Sequence, residues 1–117
     1  MTRLETLSLR ISGFAAAREW EQFHSPKNLS MALSVEAAEL LEHFQWLTEE
    51  ESRNLPAGKL REVESEMADV FIYLVRMADR LKVDLYAAAE HKLDDNELKY
   101  PVDQSKGNAR KYTEFDR

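Results

Sequence analysis

Apolar positions recur every three or four residues along most of the chain, and this helical period divides it into four long segments. Leu4, Leu7, Ile11 and Phe14 share one stripe over about residues 2–23, which stops before Pro26. Leu33, Ala37, Leu40, Leu41 and Phe44 share a second over about residues 30–47, with Asn28 or Ser30 as the N-cap. The stretch TEEESRNLPAG is polar and reads as a connection. A third helix, about residues 59–81, aligns Leu60, Val63, Met67, Val70, Phe71, Leu74 and Ala78, and Ile72 and Val75 widen the stripe. That arc exceeds what one intrachain neighbour covers, so an oligomer contact is expected there. The fourth helix, from Asp84 as N-cap to about residue 98, uses Leu85, Ala88, Ala89 and Leu93. The tail from about residue 101 to 117 shows no period and is irregular on composition. The expected fold is all-α, an antiparallel four-helix bundle in a single domain over residues 1–117.

Composition sharpens this picture in three places. Only 3 Gly and 3 Pro in 117 residues leave room for long uninterrupted helices. The absence of cysteine removes disulfides, thiol nucleophiles and Cys-type zinc sites, and favours a cytoplasmic setting. The formal charge of −6 is concentrated between residues 36 and 69, whereas the tail from residue 99 carries a basic surplus. An acidic chain is a poor partner for nucleic acid, whose affinity rests on Lys and Arg neutralising phosphates. No run approaches the ~18 apolar residues of a membrane span, and the start MTRLETLSLR lacks an apolar signal core, so no membrane association is expected.

Within the acidic centre, Glu36 borders the apolar stripe of the second helix, and Glu39 lies one turn on. Glu66 borders the stripe of the third helix in the same sense, with Asp69 three residues later. If the two helices pack antiparallel, the E-x-x-E and E-x-x-D pairs line one groove at the edge of the core. Four carboxylates there repel unless a positive charge joins them. Oxygen-only ligands suit a hard cation, Mg²⁺ or Mn²⁺, and neither pair has the E-x-x-H spacing of a di-iron bundle. For either pair alone, a solvated helix face is the commoner explanation; two pairs on successive helices balance the two readings.

These residues, E36-x-x-E39, a gap of 26 residues and E66-x-x-D69 followed by VFIYL, resemble the MazG-like all-α nucleotide pyrophosphohydrolases. The stretches REWEQFHSPKNL, ELLEHFQW, EMADVFIYLVRMADRLKVDL, KYPV and ARKYTEF are similar to the dCTP pyrophosphatase branch and extend over nearly the whole chain. The resemblance implies hydrolysis of a nucleoside triphosphate, dCTP or a modified dCTP, to the monophosphate and pyrophosphate, in the service of nucleotide-pool sanitation. It also implies Mg²⁺ held by Glu36, Glu39, Glu66 and Asp69 as metal-binding and catalytic residues, and a homotetramer. One departure is Val35, where many relatives carry a second acid before the first motif; another is Ile11 or its neighbours, where some dCTP enzymes carry a histidine.

Trp20 and His24 end the first segment, Trp46 ends the second, and Tyr73 lies one turn beyond Asp69. Flat aromatic groups stack on a base and an imidazole or phenol reads its edge; the resemblance implies that these four form the base pocket. Lys92, Asn96 and Lys99 share a face of the fourth helix, and Tyr100, Arg110 and Lys111 follow. The resemblance implies that they surround the phosphates, whose charge such basic groups complement. Two rivals remain: the same chemistry on another nucleotide such as dUTP, and a non-catalytic helical interaction module whose acids are only solvated charge.

Overall fold

A computed structural model describes residues 1–116, and these form two compact units that divide between Val83 and Asp84. Every regular element among the described residues is helical: α1 (Arg3–Ala17), α2 (Pro26–Glu42), α3 (Glu49–Arg53), α4 (Ala57–Leu81), α5 (Leu85–Lys99) and α6 (Val102–Ser105). The four long helices of the sequence pattern are all present, and their ends follow from local capping chemistry.

Helix α1 starts on a reciprocal cap: the Glu5 amide donates to Thr2 Oγ1 at 3.1 Å and the Thr2 amide to Glu5 Oε2 at 2.7 Å. It ends six residues before the expected residue 23. Glu19 takes a left-handed conformation (φ 55°), its amide donates to the Ala16 carbonyl, and the Trp20 amide reaches back to the Ala15 carbonyl at 2.9 Å. This is a Schellman closure with glutamate in the place glycine usually holds. A short 3₁₀ turn, Glu21–Phe23, follows.

The second helix begins earlier than its stripe indicated. Ser25 is the N-cap, its Oγ accepting the Asn28 amide at 3.1 Å, and Pro26 occupies the first turn, where its missing N–H costs nothing. Neither expected cap serves: Asn28 Nδ2 donates to the Phe23 carbonyl, and Ser30 Oγ to the Lys27 carbonyl. The helix stops at Glu42, so Phe44, Trp46 and Leu47 leave it for a turn. The polar connection holds α3, started by a second reciprocal cap between Thr48 and Glu51. Helix α4 closes like α1, with Lys82 left-handed (φ 58°) and the Val83 amide on the Ala78 carbonyl at 2.8 Å.

In the first unit α2 packs along α4 and α1 packs on α4. The α2–α4 pair runs antiparallel: the Ser25 end of α2 lies at the far end of α4, where Arg76 bonds His24, and Glu36, further along α2, meets Glu66, earlier on α4. Ala15, Leu29, Val63, Val75 and Ala78 are buried, and they are small for the length of the helices. Much of the apolar arc of α4 stays uncovered: Leu60, Met67 and Phe71 are each more than 40% exposed, as are Met31, Val35 and Leu41 of α2.

The second unit begins at Asp84, whose carboxylate caps α5 by accepting the Ala87 amide at 3.0 Å. The tail, expected to be irregular, carries α6 and a 3₁₀ turn at Tyr112–Glu114. Its order comes from aromatic packing that has no period: Tyr100 meets Tyr112 and Phe115 edge-on, with centroids 5.9 and 5.6 Å away.

Candidate active site

Helical spacing carries Glu36 and Glu39 to one side of α2, and the antiparallel register brings Glu66 of α4 opposite them. One carboxylate oxygen from each of the three lies within 4.8 Å of the others. Glu36 Oε2 is buried and has no hydrogen-bond partner. Glu66 titrates far above an ordinary carboxylate, at about 8, because it hydrogen-bonds Glu36, is partly desolvated and faces Glu39. That same bond favours the charged form of Glu36, but burial together with the charges of Glu39 and Asp69 leaves its pKa raised as well. The cluster therefore keeps a proton on Glu66, shared with Glu36, that an ordinary pair of carboxylates would have lost. Asp69 is exposed and contributes its negative charge from one turn further along α4.

From the carboxylates a cleft of about 280 Å³ runs along α4 towards its C-terminal half. Glu36 and Asp69 line one part of it, and Trp20, His24, Tyr73 and Arg76 another, with Phe14, Ile11, Ala15 and Ile72 making up the apolar wall. The Schellman turn at Glu19 aims Trp20 back over α1, where its ring meets Phe14 edge-on at 5.6 Å and His24 at 6.1 Å. Burial, with Arg76 and Arg80 nearby, holds the His24 pKa below its ordinary value, so the imidazole is neutral at neutral pH.

Seven of the fourteen residues singled out in the sequence thus gather in this unit, at the cluster or in the cleft: Glu36, Glu39, Glu66, Asp69, Trp20, His24 and Tyr73. Trp46 does not join them; α2 ends before it, and the indole is 87% exposed. Lys92, Asn96, Lys99, Tyr100, Arg110 and Lys111 belong to the second unit. There the Lys99 ammonium sits over the Tyr112 ring at 5.1 Å, the Arg110 guanidinium over Phe115 at 5.4 Å, and Lys92 is exposed on α5. Arg76 is the cleft residue that the sequence pattern hid. Its position, three residues beyond Tyr73 within an apolar run, was the available signal.

The MazG-like family model matches residues 31–115. The chain belongs to the MazG-like family. Among curated relatives, dCTP pyrophosphatase 1 of Mus musculus is 44% identical over 116 residues, covering 97% of this chain and 68% of the mouse protein. The Bos taurus protein of the same name is 46% identical, covering 96% of this chain and 68% of its own length. A crystal structure of a pyrophosphatase from Archaeoglobus fulgidus superposes with a TM-score of 0.81 at 38% identity, covering 86% of this chain and 94% of that one. The all-α architecture is therefore shared with that solved pyrophosphatase.

Proposed function

We propose that this MazG-like chain hydrolyses dCTP, or a modified dCTP, to the monophosphate and pyrophosphate. The observation that carries the proposal is the convergence of Glu36, Glu39 and Glu66, one oxygen of each within 4.8 Å of the others, at the head of an aromatic cleft. The 44–46% identity to dCTP pyrophosphatases supplies the substrate class. Three converging carboxylates, one of which also has a buried, unpartnered oxygen, fit a divalent cation, and their oxygen-only chemistry favours Mg²⁺, with Mn²⁺ able to replace it. Glu36, Glu39, Glu66 and Asp69 would hold it. When bound, Mg²⁺ offsets charge on the phosphate oxygens and lowers the pKa of water.

In the proposed step a water oxygen bonds the α-phosphorus while the bond from that phosphorus to the oxygen bridging to the β-phosphate breaks. Pyrophosphate leaves, and the water's proton passes to a carboxylate, which we assign to Glu39. Trp20 and Tyr73 offer flat faces to the base, with His24 at its edge. Lys92, Asn96, Lys99, Tyr100, Arg110 and Lys111 are assigned to phosphate binding on the family resemblance, and residues 1–117 are proposed as one MazG-like domain because the family match, residues 31–115, runs through both units.

The uncovered apolar side chains of α2 and α4 support a homo-oligomer, proposed as a tetramer. Among the described residues no helix is long and apolar enough to cross a membrane, and we infer work in the cytoplasm on the nucleotide pool. Pyrophosphate release from dCTP, dUTP, dTTP, dATP and dGTP, with and without Mg²⁺, tests the assignment. The expected result is dCTP first, with activity lost without Mg²⁺ and in Glu66→Gln. Preference for another base refutes the substrate, and no release from any triphosphate refutes the reaction.

A further inference from the structure

Arg76 is the one buried charged side chain among the described residues, 2% exposed, and it forms part of the wall at the aromatic part of the cleft. Two of its three nitrogens are committed. Nε donates to His24 Nδ1 at 3.2 Å, and Nη1 to Asp79 Oδ2, also at 3.2 Å. The third, Nη2, is buried with no acceptor. A buried cationic donor without a partner is unfavourable, and because Arg76 lines the cleft, Nη2 is a donor open to an acceptor held there.

Two observations indicate the kind of acceptor. Arg76 lies seven residues beyond Asp69, about 10 Å at the ~1.5 Å rise of an α-helix. That distance is comparable to the length of a nucleoside, so a nucleotide held by its phosphates at the carboxylates brings its base to Arg76. The guanidinium charge is already paired with Asp79, which leaves Nη2 suited to a neutral oxygen or nitrogen acceptor and not to a phosphate. The bond from Arg76 Nε also fixes the His24 tautomer: Nδ1 accepts, so Nε2 carries the proton. Arg76 and His24 thus offer donors only.

We propose that Arg76 is a specificity-determining residue that reads the base, its Nη2 donating to the adjacent N3 and O2 acceptors of a cytosine ring. Uracil and thymine turn an N3–H donor to the same place and leave two donors opposed, so the arrangement selects against them as well as for cytosine. This rests on the cleft being the nucleotide site, and the experiment separates the two claims.

The measurement is kcat/KM of the wild type, Arg76→Met and Arg76→Lys for dCTP, dUTP and a dCTP analogue with C–H in place of N3. The wild type is expected to favour dCTP over both others by about ten- to hundredfold. In Arg76→Met that preference falls towards unity, and Arg76→Lys, which keeps a cationic donor, retains part of it. A merely structural arginine lowers all three substrates together and leaves the ratios in place, which overturns the proposal. Wild-type indifference to N3 overturns it without any variant, should Arg76→Met fail to fold. If no triphosphate turns over, the pyrophosphohydrolase reading fails separately, and Arg76 is judged on tryptophan-fluorescence titrations of the wild type with dCMP and dUMP: tighter dCMP binding supports it, and equal Kd values overturn it.

Discussion

The two ends of the cleft face the same electrostatic difficulty and resolve it differently. At one end Glu36, Glu39 and Glu66 crowd like charges together and relieve them by keeping a proton. At the other, Arg76 is a buried charge that cannot shed its proton, and fixed partners, Asp79 and a neutral His24, relieve it instead. A proton is exchangeable for another cation, whereas an ion pair built into α4 is not. The acidic end is therefore suited to take up and release a metal ion, and the arginine end to hold one fixed pattern of donors.

Breaking the acidic end has the largest expected effect. Glu36→Gln removes a proposed metal ligand and the hydrogen-bond partner of Glu66, and pyrophosphate release is expected to fall by at least about a hundredfold. Retained turnover would take the cluster out of the chemistry. The next effect is on stability. Glu66 has a folded pKa raised to about 8, so its protonated form favours the fold. That contribution is fully present below the unfolded carboxylate pKa and is lost as pH rises through about 8. Metal-free protein should thus melt at progressively lower temperature from pH 5 to pH 9. Mg²⁺ at a hundredfold excess over its Kd should restore about 2.7 kcal/mol at the alkaline end. Melting curves across that range, with and without Mg²⁺, check both signs, and Glu66→Gln should remove the pH trend.

The smallest effect is at the arginine end. Asp79→Asn removes a partly exposed partner from a buried cation, and a loss of about 1–2 kcal/mol is expected from denaturant unfolding. This loss should not depend on Mg²⁺, because the pair is independent of the carboxylates; a loss that Mg²⁺ reverses would merge the two ends into one network.

The helices and the acidic pairs were legible because a 3.6-residue period records which faces are buried, and because charge at the border of an apolar stripe stands out. Helix ends were less so. The start of α2 turned on Ser25 and Pro26, outside the apolar pattern, and the end of α1 on a left-handed Glu19 that no side-chain preference marks. Thr48 followed three residues later by Glu51 carried the signature of α3 within a stretch taken for a connection. Arg76 is not legible in the sequence because an isolated arginine in an apolar run resembles a long side chain reaching solvent; the packing of His24 and Asp79 around it shows that it stays inside. Trp46 looked like a companion of Trp20 until α2 ended short of it.

The turn at Glu19 has a consequence for how such a cleft changes over evolutionary time. The Trp20 amide is tied to the Ala15 carbonyl, so the main chain fixes where the indole stands. Exchanging side chains along α1 alters what the wall touches without moving it. Adding or deleting a residue at 18–20 would swing the whole aromatic wall. Adaptation to a bulkier ligand therefore has two routes, a gradual one through side chains such as Ile11 and Phe14 and an abrupt one through the elbow itself.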